Sequence, residues 1–352
     1  MSLVASILKL KPSNAYVDDK DEKEYYWNIL LSFWKLPTSF KHFPGPNPMS
    51  LETKDFSRIK QEDFLIALKT DGVRYLLIMT TKMNSTEPIS IMIDRALNMY
   101  EIEIWATEEF FYNGCLLDGE LVWNNDNLQF IVFDVVKFKG EDCIKMNYRQ
   151  RLEVIQSHIL YDVDQLTDAT IEQLVAEEEK MCARNNEFNL QITPKMCVNK
   201  QSLPDLWKGR KQISHRNDGI ILTHNDIPIH TGTSKHVLKW KPSHSIDIKF
   251  IYKNTEWKIY ANDNSSDDEI EITNKIGNYS MKIEESKLLD HLKLKLSCIV
   301  ECLLEIQDEF VVLTPERERT DKKTANTMKT IYATMNNAQE SISIEELIKH
   351  CT

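Results

Sequence analysis

Between residues 64 and 136 the chain alternates short apolar runs with turn residues. FLIALK, YLLIMT, ISIMID, CLLDGELVW and LQFIVFDVV are separated by Asn, Asp, Ser, Pro or Gly, and this predicts β-strands of an antiparallel sheet. From Asn147 the spacing becomes helical. It runs through YRQRLEVIQSHIL and then TDATIEQLVAEEEKMCA, where Asp168 is placed to cap the second helix. Two further strands follow, DGIILTH and HVLKWK. After Pro242 the runs IDIKFIYK, EWKIYAN, EIEIT and YSMKI alternate again, interrupted by the polar loop NDNSSDDE. An all-β stretch of that length, ending near Lys322, suits a small barrel such as an OB-fold. From Thr324 a helical tail carries Met328, Ile331, Tyr332 and Met335 on one face, which predicts that it packs on a domain. The expected architecture is α+β, with an antiparallel-sheet domain over 1–242, an OB-fold β-barrel over 243–322 and the helical tail at 323–352. Residues 159–202 read only as helix, loop and strand.

Composition narrows the function classes. At 352 residues and 42% hydrophobic content the chain can bury one large core or two moderate ones. Seven cysteines are scattered without a CxxC pair, which reads as reduced thiols in an intracellular protein. The apolar stretch Leu3 to Leu8 is too short for a signal segment, and no run approaches a membrane span. A net charge of -11 argues against nonspecific coating of nucleic acid, which needs many cationic contacts to phosphate. Basic residues nonetheless cluster at Lys208 to Arg216, Lys235 to Lys241 and Arg317 to Lys323. The acidic runs Asp18 to Glu24 and Asp263 to Glu271 read as solvated surface.

Several constellations carry chemistry. Lys69-Thr-Asp-Gly-Val-Arg74 sits at the junction of two predicted strands. A lysine amine, with an ordinary pKa of about 10.4, becomes nucleophilic near neutral pH only when burial or neighbouring cations favour its neutral form. Arg74, Lys239 and Lys241 are the candidate cations. In LLDGELVW the strand alternation places Asp118 and Glu120 on one face, a pair able to hold a divalent metal or accept ribose hydroxyls. Asp134, inside the apolar run QFIVFDVV, needs a partner or a task, because an unpaired buried carboxylate is costly. Asp218 opens an apolar strand, Lys239 and Lys241 are one alternation apart, and Asp247 follows. Arg317, Arg319 and Lys322 close the all-β stretch and suit a pyrophosphate clamp.

In this order the motifs KTDGVR, DGE, FIVFDVV, DGII, KWK and RTDK resemble those of the covalent nucleotidyltransferase superfamily of mRNA capping enzymes and ATP-dependent ligases. The resemblance covers roughly residues 43 to 335. Thr70 after the lysine, FPGPNPMSL at Phe43 to Leu51, LKWKP with Pro242, and RTDKKTAN ending in Asn326 are similar to the compact stand-alone capping guanylyltransferases.

The resemblance implies a GTP cleft between a nucleotidyltransferase domain and an OB-fold lid, closing for attack and opening to admit RNA. Lys69 would take GMP from GTP in a covalent bond and pass it to the 5′-diphosphate end of RNA. Thr70, Arg74, Arg95, Glu120 and Phe133 would bind the nucleotide, Arg74 and Arg95 at ribose or phosphate and Glu120 at the ribose. Lys239 and Lys241 would neutralise the α-phosphate, with Arg319, Asp321 and Lys322 on the β and γ phosphates. Asp218, Glu120 and Asp247 would hold Mg2+ or Mn2+. Asp218 stands where many relatives carry Glu. RNA triphosphatase and cap methyltransferase would be separate proteins, an RNA polymerase tail is an expected partner, and no membrane is involved. Residence would be nuclear in a cellular protein and in a cytoplasmic factory in a viral one. Two competing readings are an ATP-dependent polynucleotide ligase and a noncatalytic nucleotide-binding scaffold. Intact Lys69, Glu120, Lys239, Lys241 and Lys322 speak against the scaffold.

Overall fold

The computed structural model describes residues 16–104, 106–124, 127–157, 190–213, 215–264, 268–320 and 322–352. They divide into two compact units: the first takes the described parts of Met1–Met49, Arg58–Trp240 and Cys351–Thr352, the second those of Ser50–Ser57 and Lys241–His350. The helix expected over residues 167–183, with its cap Asp168, lies outside the described residues.

The first unit holds two sheets. One is five-stranded and joins β1 (Pro46–Ser50), β2 (Phe64–Thr70), β10 (Val198–Asn199), β11 (Asn217–His224) and β12 (Gly232–Trp240), in the order β1-β12-β11-β2-β10. The other runs β5-β4-β3-β6-β7-β8 through β3 (Val73–Thr81), β4 (Pro88–Asp94), β5 (Met99–Ile102), β6 (Cys115–Asn124), β7 (Asn127–Phe138) and β8 (Glu141–Asp142). A further strand, β9 (Leu190–Pro194), lies parallel to β7. β2 is buried on both faces, from Phe64 through Leu68, which is why it reads as an unbroken apolar run. In β3 the alternation separates two cores. Tyr75, Leu77 and Met79 join Leu117, Leu121 and Phe130 on one side, whereas Leu76 and Ile78 join Ile91, Ile93 and Leu116 on the other.

That second side is covered by a helix the sequence pattern did not announce, Lys20–Trp34, which buries Tyr26, Trp27, Leu30, Leu31 and Trp34. Its start explains the nearby acidic run. Asp19 accepts from the amides of Asp21 and Glu22 at 2.9 Å, and Asp21 and Glu22 occupy the first turn, where negative charge meets the positive end of the helix dipole. The helix expected from Asn147 forms as Tyr148–Ser157, capped by Asn147 Oδ1 accepting from the Gln150 amide at 2.9 Å.

The second unit is built on a seven-stranded sheet of β13 (Ser245–Lys253), β14 (Glu256–Asn262), β15 (Glu269–Glu271), β16 (Lys275–Ile276), β17 (Tyr279–Ile283), β18 (Cys298–Gln307) and β19 (Phe310–Glu318). Its order is β15-β14-β13-β18-β19-β17-β16, with β17 parallel to β19 and the other pairs antiparallel. Ile246, Ile248, Phe250, Val300, Leu304, Val311 and Leu313 form its core. The tail helix Met328–Glu340 seats Met328, Ile331 and Met335 there, while Tyr332 stays 41% exposed. The segment 50–57 belongs to the same unit: the Thr53 amide donates to Glu340 at 2.8 Å, and Phe56 stacks on His350 at 4.0 Å. Glu269 and Glu271 of β15 pair with Lys249 and Lys258. The whole is a mixed α+β protein, and no described helix is long and apolar enough to cross a membrane.

Candidate active site

Lys69 lies one residue from the end of β2, at the only half-buried position of an otherwise buried strand. A tight turn at Asp71 and Gly72 carries the chain into β3. A Cβ at Gly72 would lie 2.5 Å from the Leu121 carbonyl oxygen, so the turn can press against β6 only with glycine there. Opposite Lys69 the pairing of β2 with β11 slips: Leu68 faces Ile220 and Thr70 faces Asn217, leaving Asp218 and Gly219 together across from Lys69. This bulge turns Asp218 toward the lysine, and Lys69 Nζ donates to Asp218 Oδ1 at 2.7 Å. The Asp71 amide donates to the Arg216 carbonyl at 3.0 Å, tying the turn to the start of β11.

β3 and β6 bring the acidic pair to the same place, with Arg74 opposite Glu120 and Leu76 opposite Asp118. The two carboxylates have different surroundings. Asp118 is fully buried and receives Arg74 Nε at 2.8 Å, with Arg74 Nη2 on its other oxygen. Arg74 also donates to the Pro46 carbonyl at 2.6 Å and lies 5.2 Å from the ring centroids of Phe43 and of Phe133. Its guanidinium is thus occupied by a carboxylate and framed by aromatic rings. Glu120 accepts from the Gly72 amide at 3.3 Å. Burial raises its pKa above the ordinary carboxylate range, with the charges of Lys195 and Lys69 pulling against that shift. Arg95 is exposed and donates to Asn47 Oδ1.

Lys195 is the site residue that sequence reasoning missed. Its amide donates to the Val132 carbonyl at 2.7 Å, continuing the pairing of β9 with β7, and its side chain is buried. Nζ donates to the buried Thr70 hydroxyl at 2.9 Å and lies 5.7 Å from the Phe133 ring centroid. Burial lowers its pKa, Glu120 opposes this, and the charge of Lys69 adds to it. The one available signal was a lone lysine in the apolar setting ITPKMCV. The Asp134 question resolves structurally: Arg151 of helix Tyr148–Ser157 donates to its two oxygens at 2.6 and 3.1 Å, and both partners are buried.

Lys239 stands on β12 opposite Ile221 of β11, and Lys241 opens the segment Lys241–His350 of the second unit. In the second unit Asp247 is buried on β13 and accepts from Arg319 Nη1 at 3.0 Å and from Lys322 Nζ. Arg317 donates instead to Glu301 at 2.6 Å. Asp321 lies outside the described residues. Among the proposed metal ligands, Glu120 and Asp218 feel each other's charge and offer hard oxygen donors. Asp247 is already neutralised by two cations. Among the described residues no three His, Cys, Asp or Glu side chains gather as a ready cation cage, so an ion here would need phosphate oxygens to complete its shell.

The chain is similar to known proteins. It is 26% identical over 341 residues to the mRNA-capping enzyme subunit alpha of Schizosaccharomyces pombe, covering 89% of this chain and 81% of that protein. It is 25% identical over 315 residues to the mRNA-capping enzyme of Danio rerio, where the match covers 87% of this chain but 49% of the relative, about half its length. Among solved structures, a mycobacterial DNA ligase D complexed with ATP aligns over 81% of this chain and 98% of that one. That alignment has 12% identity and a TM-score of 0.41. The mRNA capping enzyme catalytic domain family matches residues 14–243, from before the helix Lys20–Trp34 to just past Lys241, so Lys69, Glu120, Lys195, Asp218 and Lys239 all fall inside it and the chain belongs to the mRNA capping enzyme family.

Proposed function

We propose that this chain is an mRNA guanylyltransferase that carries GMP on Lys69. The observation that supports it most is the placement of a strand-end lysine against Asp218 at 2.7 Å, beside Glu120 and the buried pair Lys195 and Thr70. The ammonium must shed a proton before it attacks, and Asp218 Oδ1 is an acceptor within reach. Lys69 Nζ then bonds to the α-phosphorus of GTP, the bond to the bridging oxygen breaks, and pyrophosphate leaves. In the second step a terminal oxygen of a 5′-diphosphate RNA attacks that phosphorus. The P–N bond breaks, the amine regains its proton, and a GpppN end is released. Positioning and charge neutralisation carry both steps.

Several assignments accompany this reading. Lys239 and Lys241 supply positive charge for the α-phosphate, and Arg319, Asp321 and Lys322 act on the β and γ phosphates. The second unit is read as an OB-type module. Glu120 and Asp218 would hold Mg2+ or Mn2+, which stabilises charge developing on phosphate oxygens. RNA triphosphatase and cap methyltransferase would be supplied by separate proteins, with a polymerase tail as docking partner and the nucleus as the site of action in a cell. Chelation with EDTA is expected to abolish transfer to Lys69 and added Mg2+ to restore it; undiminished labelling in EDTA would remove the ion from the scheme.

Base choice has its own physical support. A guanine offers a keto oxygen at position 6, which can accept from Lys195 and Thr70. An adenine presents an amino group there, which would meet those donors with another donor. Phe133 offers a ring face beside them. Incubation with labelled GTP is expected to leave on the protein a label that survives denaturation and alkali but is released by acid, as a P–N bond requires, and labelled ATP to leave far less. Label from ATP alone would replace this reading with that of a ligase. In Lys195→Ala the preference for GTP over ATP should fall roughly 10- to 100-fold, the worth of one charge-assisted hydrogen bond. An unchanged preference in single-turnover labelling would place base selection elsewhere.

A further inference from the structure

The basic run beginning at Lys208 is not used by the chemistry above, yet the fold carries it to the nucleophile. The helix Leu203–Gly209 is anchored by Trp207, whose ring meets Trp240 of β12 edge-on at 5.3 Å. Arg210 sits over that indole, its Cζ 3.7 Å from the ring centroid, and is held by Nη1 donating to the Trp207 carbonyl at 2.6 Å. The Asn217 side chain donates to the Arg210 carbonyl at 3.2 Å, folding the two ends of the run together. Asn217 pairs with Thr70, the Arg216 carbonyl receives the Asp71 amide, and the next acid along the strand is Asp218 at Lys69. Lys208, Lys211 and Arg216 are exposed, and no carboxylate pairs with them among the described residues. Exposed cations thus flank the backbone segment that is tied to the turn after Lys69, in a chain whose net charge is -11.

The geometry points to this surface as the binding track for the 5′-terminal nucleotides of the acceptor RNA, with Lys208, Lys211 and Arg216 on backbone phosphates and the Arg210–Trp207 stack as a platform for a base. This rests on the guanylyltransferase reading and adds the acceptor's path to it. Single-stranded RNA fits because phosphates need spaced cations, unstacked bases need a flat cationic or aromatic face, and the acceptor's diphosphate has to arrive at Lys69. An acidic or phosphorylated peptide would match the charge. It would gain nothing from lying beside the nucleophile.

The triple variant Lys208→Ala, Lys211→Ala, Arg216→Ala tests this in the full chain. Formation of labelled Lys69–GMP from GTP should match the wild type. In the second step the KM for a 5′-diphosphate oligoribonucleotide should rise about tenfold or more. The slope of log affinity for that RNA against log salt, measured by fluorescence anisotropy, should flatten by about two, three contacts at about 0.7 each. Arg210→Ala should weaken RNA binding without changing the slope by more than about one. Normal labelling with an unchanged RNA KM and salt slope would overturn the inference while leaving the proposed function intact. So would a variant that keeps RNA affinity and loses that for a phosphorylated acidic peptide. Should the wild type take no label from GTP, the proposed function fails, and the anisotropy series still decides whether this surface holds RNA.

Discussion

Lys69→Ala is expected to take no label from GTP and to cap no RNA, a loss of more than about 10⁴-fold in both steps, because the proposed covalent route runs through its amine. Lys69→Arg is expected to behave alike: a guanidinium keeps the positive charge and the contact with Asp218 but stays protonated at any working pH. The fold should be indifferent to either change. Lys69 and Asp218 are 22% and 32% exposed at their side chains, and a solvent-screened pair of that kind contributes about 1 kcal/mol at most. The measurement is covalent labelling that survives denaturing gel electrophoresis and alkali, alongside thermal denaturation. A labelled Lys69→Ala protein with wild-type yield would mean that another residue carries the nucleotide.

A loss of stability rather than of chemistry is expected from Arg151→Met. Arg151 and Asp134 are 2% and 7% exposed at their side chains, the arginine also donates to the Met146 carbonyl at 2.6 Å, and it sits 5.3 Å from the Tyr148 ring. Removing the cation alone strands a carboxylate inside the first unit, at a cost of about 3–5 kcal/mol. For a unit of this size that lowers Tm by roughly 6 °C or more. The double variant Arg151→Met, Asp134→Leu should recover most of the loss, since an apolar pair of similar volume avoids burying either charge. Denaturation of the two variants side by side checks this. A single variant within about 1 kcal/mol of the wild type would show that Asp134 is relieved by some other group.

The strands of both units were legible because apolar runs and turn residues mark them without reference to anything distant. The ordered short motifs brought Lys69, Glu120, Asp218 and Lys239 into view for a similar reason: each is a charged residue placed against the local pattern of its strand. What stayed hidden depends on pairing across sequence. Lys195 finds Thr70 over a separation of 125 residues, and Arg74 finds Asp118 over 44. Nothing local tells that one acid of DGE would be consumed by an arginine while the other faces the site. Asp134 announced a need but not its answer, since Arg151 sits on an amphipathic helix where a charge looks unremarkable. The helix Lys20–Trp34 was obscured by an acidic run that read as surface and turned out to be its cap and first turn.

The extra residue that β11 carries opposite Lys69 bears on the side chain found there. The family pattern expected from the sequence has a carboxylate one methylene longer at the position of Asp218, and the shorter acid here reaches the amine at 2.7 Å. Backbone excursion and side-chain length are then two ways of spanning one gap. Transplanting the longer acid into this strand would overshoot unless the chain were straightened with it, so residue 218 and the local course of its strand have to change together.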